Sequence, residues 1–230
     1  MIRSDSYDTQ ACVSGLHKTR AVGLFIALAG APLFVVLTDL MFGTSPGMAM
    51  QVTLQLLYCA LAAFLVWFVL QVEQLPLRSI GLRRATSLTV VSGIGLLAVI
   101  SFGLPLLAAP LHDALDTAGL QAGLDRLVAL PVWFRVLLGI SGGAIEEIFY
   151  RGYAIERLAT ITGRPWLAGL IAAVIFALSH IPYWGLGFAL AADLPSGLLM
   201  SAFYLWRRDL LANVFAHSTG LVIAMLTTAA

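Results

Sequence analysis

From Ala21 onward the chain is a succession of apolar runs, broken only briefly by Arg, Pro and Gly. Each run approaches the length of about 20 residues that carries a helix through a bilayer core. Candidate spans cover 21–43, 48–72, 86–109, 132–151, 165–182, 186–206 and 209–228. In hydrocarbon each backbone N–H and C=O needs a partner within its own segment, which leaves the helix as the solution for isolated runs of this kind. The expected fold is therefore all-α: a polytopic transmembrane helical bundle of about seven spans. The stretch 110–131 keeps Asp113, Asp116, Asp125 and Arg126 among leucines and reads as one amphipathic surface segment.

Composition excludes other classes. Of 230 residues, 60% are hydrophobic and 11% charged, too few charges to cover a soluble domain. A formal net charge of +1 gives no field for a polyanion, so the expected surroundings are a lipid bilayer and no nucleic acid. Cys12 and Cys59 are too few for a disulfide framework and read as free thiols. Residues 1–20 are polar, and the run after them has no small-residue cleavage site, which predicts a cytoplasmic leader followed by a retained span. No repeat or linker divides the chain, so residues 1–230 are read as a single domain.

With the N-terminus inside, the inner side receives Arg3, Lys18, Arg20, Arg78, Arg83, Arg84, Arg151, Arg157, Arg164, Arg207 and Arg208. Of the 13 Lys and Arg, only Arg126 and Arg135 fall outside. That bias predicts a cytoplasmic N-terminus and an odd number of spans. Trp133, Trp166, Trp184 and Trp206 near span ends read as interfacial anchors.

The informative residues are the ionisable and amide groups left inside apolar runs, because each is costly in lipid unless paired or wetted. They are Asp39, Glu146, Glu147, His180, Asp193, Asn213 and His217. Arg151 lies four residues after Glu147, on the same helical face, and is expected to pair with it. Glu146 points about 100° away and is free to face a cavity, where a desolvated carboxyl suits proton transfer. Gly139 and Gly143 form a small-residue pair that lets another backbone approach just before the acids. Glu146 and His180 stand at equal distances, about 24 Å of helix, from the turn at 162–165, so antiparallel neighbours bring them level. Asn213 and His217 share one face of the last span and can donate to an oxyanion, or serve as interhelical polar glue.

Glu146-Glu147-x-x-x-Arg151, then Phe176-x-x-x-His180, then a histidine on the last span: this order resembles the CAAX-protease and bacteriocin-processing family of intramembrane endopeptidases. The resemblance covers residues 132–224, and the loop 76–82 is similar to the basic loop of many members. It implies hydrolysis of a peptide bond in a membrane-associated protein or peptide by a water that Glu146 activates with help from His180. It also implies a supporting pair in Glu147 and Arg151, and an oxyanion-stabilising role for His217. The chain departs from the family by Leu221, where Asn or Asp is usual four residues after that histidine. Asn213, four residues before it on the same face, is the expected substitute. Two histidines and a carboxylate also form a possible zinc set at Glu146, His180 and His217 with one open position. No His-Glu-x-x-His occurs, and the expectation is a site without a cofactor. Short Arg-rich loops and the absence of organelle signals predict a bacterial inner membrane, although an ER membrane follows the same topology rule.

Three rivals remain at this level. Gly139-Ile140-Ser141-Gly142 with Ala216-His217-x-x-Gly220 resembles a rhomboid-type serine intramembrane protease, but leaves Glu146, Glu147, Arg151 and His180 unused. A transporter would explain buried ionisable groups and the break at Asp193-Leu194-Pro195. No repeated halves accompany that break, and Asp193 is expected instead to cap a helix with Pro195 in its first turn. An inactive immunity or scaffold protein would not need both Glu146 and His180.

Overall fold

The computed structural model describes residues 5–44, 46–115 and 118–228, all helices and connecting turns with no strand. Arg3 and Asp116 lie outside the described residues, as do the side chains of Cys12, Lys18 and Asp113. The long helices are α1 (Asp5–Phe42), α2 (Met48–Gln71), α3 (Ser87–Ala98) running into α4 (Leu104–Ala114), α5 (Ala118–Val128) and α6 (Val132–Glu146). They are followed by α7 (Glu156–Thr162), α8 (Pro165–Phe188), α9 (Leu194–Arg207) and α10 (Leu210–Thr227). Three π-helical segments join them, at Val99–Gly103, Glu147–Ile155 and Ala189–Asp193.

Five stretches are long and apolar enough to cross a bilayer: Thr19–Phe42, Met48–Gln71, Ser87–Leu106, Pro165–Arg207 and Leu210–Thr227. The protein is an integral, multi-pass membrane protein. These five do not reproduce the count of seven, for two physical reasons. Pro165–Arg207 is 43 residues long, about twice a bilayer core, and contains two of the expected spans as one broken helix. Its axis breaks at Gly185, where φ 83° and ψ 163° leave the helical region in a conformation suited to glycine. The helix with Glu146 and Glu147 is not among the five, since Arg135, both acids and Arg151 interrupt its apolar run.

Helices α6 and α10 pack closely because α6 presents glycine to its neighbour. A Cβ on Gly143 would stand 2.7 Å from the Ser218 backbone, and one on Gly139 would stand 3.0 Å from the Val222 nitrogen. The Ser218 hydroxyl donates to the Ile140 carbonyl at 3.0 Å across the same contact. At one end of the bundle Arg157 pairs with Glu73 at 2.6 Å and donates to the Ser79 carbonyl. There the Leu210 amide meets the Gly81 carbonyl, and Arg208 pairs with Glu156. The basic residues of loop 76–86 and of the α7 and α9 ends thus gather together, whereas Arg126 and Arg135 bond elsewhere, to the Tyr183 and Met225 carbonyls. Residues 110–131, expected as one surface segment, instead hold the end of α4 and the amphipathic α5, whose Leu120, Leu124 and Leu127 line a cavity.

Candidate active site

Helix α6 ends on Glu146, and the π-helical turn that follows separates the two acids. Glu147 turns into the protein and is fully buried with Arg151. Arg151 Nη1 donates to Glu147 Oε1 at 2.9 Å, and its Nη2 reaches the Gly197 carbonyl at 3.3 Å. Asn213 Nδ2 donates to Glu147 Oε2 and to the Met200 carbonyl, both at 3.1 Å. The guanidinium also lies 4.5 Å from the Phe176 ring centre. A buried ion pair breaks even only when hydrogen bonds occupy its remaining positions, and this one is nearly saturated.

Glu146 faces the opposite way, into a cavity of about 750 Å³. Its Oε1 stands 3.6 Å from His180 Nε2 and its Oε2 stands 3.6 Å from His217 Nε2. All three side chains line the cavity, whose remaining walls are mostly apolar, with Asp193, Ser196 and Thr228 as the other polar residues. The far nitrogen of each ring is fixed. His180 Nδ1 lies 2.8 Å from the Phe176 carbonyl, and His217 Nδ1 lies 2.9 Å from Glu147 Oε1. A carbonyl and a carboxylate oxygen only accept, so both Nδ1 atoms carry hydrogen and both rings turn Nε2 toward Glu146. Two carboxylate oxygens and two ring nitrogens then converge at separations too long for direct hydrogen bonds. A water between them can donate to the carboxylate and bridge to the rings.

Residues 128–221 match the model of one protein family, type II CAAX prenyl endopeptidase Rce1-like. That stretch is similar to the Rce1-like family. The matched stretch holds Glu146, Glu147, Arg151, His180, Asn213 and His217, and the family is one of CAAX-type endopeptidases. No curated protein and no solved structure gives a significant match to the chain.

The fold brings the six candidate site residues to one place, in two layers. Glu146, His180 and His217 line the cavity; Glu147, Arg151 and Asn213 lie behind them. Both amide donors of Asn213 are spent on Glu147 and Met200, so it braces the ion pair and does not substitute for the donor missing at Leu221, which lines the cavity itself. Among the described residues no group of three or more His, Cys, Asp or Glu is arranged to hold a metal ion. Ser141 donates to the Leu137 carbonyl and accepts from Gln55 at 2.7 Å; no histidine is its partner.

One expectation is corrected here. Asp193 does not cap α9: it has helical φ/ψ, its side chain bonds no helix amide, and it lines the cavity instead. The π-helical turn ending on Asp193 carries the helix straight on into Pro195, so no free first-turn amides face the carboxylate. Trp184, expected near the interface, lines the cavity beside the break at Gly185. Sequence reasoning saw Asp193 and missed its place; the signal was the helix-interrupting Gly185 upstream, which redirects the chain.

Proposed function

We propose that the protein is an intramembrane endopeptidase that hydrolyses a peptide bond of a membrane-associated protein or peptide with a water activated by Glu146. The observation that carries this reading is the paired 3.6 Å gap from the two Glu146 oxygens to the two imidazole Nε2 atoms on a cavity wall. A water there donates to Glu146. As its oxygen attacks the scissile carbonyl carbon, Glu146 takes its proton, and that proton passes to the departing amine nitrogen through Glu146 or His180. His217 protonated at Nε2, opposite the Glu147 carboxylate that accepts from its Nδ1, donates to the oxyanion. Glu147, Arg151 and Asn213 hold His217 in that orientation. No step of this reaction needs a metal. The clustering of basic residues at one end supports an N-terminus on the cytoplasmic side of the membrane.

The test compares membranes of cells producing the wild-type chain, E146Q or S141A, by mass spectrometry of new protein termini. New termini with wild type and S141A, absent with E146Q and unaffected by a zinc chelator, are expected. Loss in S141A alone would move the function to the serine mechanism, and loss on chelation would move it to a metal.

A further inference from the structure

The cavity wall contains one charged group that the mechanism above does not use. Asp193, on the π-helical segment Ala189–Asp193, is 9% exposed, and its Oδ2 has no hydrogen-bond partner. The nearest hydroxyl on its own turn, Ser196, donates to the Asp193 backbone carbonyl and not to its carboxylate. His180 and His217 act on Asp193 electrostatically but lie beyond ion-pair distance, whereas the other acids at the site have partners within 4 Å. Glu147 has Arg151 at 2.9 Å, and Glu146 has an imidazole at 3.6 Å from each oxygen. No lysine or arginine lines the cavity. A carboxylate oxygen without a donor in an apolar wall is costly, and a cationic partner entering the cavity relieves that cost.

We infer that Asp193 is a substrate-binding subsite for a cationic side chain, lysine or arginine, carried by the substrate close to its scissile bond. The inference rests on the endopeptidase reading for the word substrate, but the cation preference is a property of the cavity alone. The cavity is about 750 Å³ and mostly apolar in lining, which suits a hydrophobic side chain or short segment, and Asp193 lines it together with Glu146, His180 and His217, so the charge would sit near the reacting bond. A peptide with one basic residue in an apolar stretch fits both features. The same position filled by a neutral residue leaves the Asp193 oxygen unmatched, which is how a polar site rejects an analogue.

The experiment measures binding with cleavage switched off. The E146Q chain in nanodiscs is titrated with a fluorescent leucine–alanine peptide bearing one central lysine, and with its norleucine counterpart, each corrected for uptake by empty nanodiscs. The lysine peptide is expected to bind roughly tenfold tighter, the effect of one desolvated charge pair. That ratio should fall to about one in E146Q/D193N and persist in E146Q/D193E. Equal affinities in E146Q, a preference for norleucine, survival of the ratio in D193N, or no binding of either peptide would overturn the inference. Cleavage by wild type together with equal affinities would retire the subsite and keep the protease; a lysine preference in a chain that cleaves nothing would do the reverse.

Discussion

Glu146 and Glu147 are adjacent in sequence and opposite in environment, and substitution should separate them. Glu146 stands at the cavity with no direct hydrogen bond at its carboxylate, so E146Q should fold and bind as the wild type does while activity falls by about a thousandfold, the scale of a lost general base. Glu147 is fully buried in the Arg151 pair, so R151M should leave an unmatched charge and cost about 3–5 kcal/mol, seen as a lower Tm in detergent. The double variant E147Q/R151M should recover part of that loss, since neither partner then keeps a naked charge; a double variant as unstable as R151M would contradict the pairing argument. The i, i+4 pair and the outward turn of Glu146 were legible because helical spacing alone dictates them. Asn213 and Asp193 were not. Their partners, Met200 and the cavity, come from chain far away or from a π-helical turn, which carries no spacing signal.

At the scale of elements, the site exists because α6 and α10 touch. Gly143 is the closest point of that contact, and the next residue toward the cavity, Gly142, meets nothing within 4 Å. G143A must push the Ser218 backbone away, which should cost about 1–3 kcal/mol and weaken catalysis by moving His217 from Glu146. G142A should hold or raise Tm, because alanine is the better helix former and space is free. Equal Tm changes in the two variants would show that the close contact does not matter. The small-residue pair was visible in the sequence, as was the antiparallel match of Glu146 with His180 across the 162–165 turn. The break at Gly185 was visible only as a gap between two expected spans. Whether such a gap is a turn or a kink depends on the packing of α5 against α8, which no local pattern encodes.

At the scale of the whole molecule, the segregation of arginines is the property to test. In a chain whose Cys12 and Cys59 are replaced by serine, cysteines introduced at Thr162 and Leu130 should react with an impermeant maleimide from opposite sides of the membrane, Thr162 from the cytoplasm. Labelling of both from one side would overturn the orientation. Fold class and membrane character were legible because lipid permits so few solutions; the number of crossings was not, since a 43-residue broken helix and a charged helix each blur the count. All of this positions one small volume between Glu146, His180 and His217. An experimental structure at a resolution that reveals solvent addresses it most directly. A single water within hydrogen-bond distance of Glu146 and at least one Nε2 atom is the expected result; a dry gap, or a metal ion bound by the same three side chains, would contradict the account.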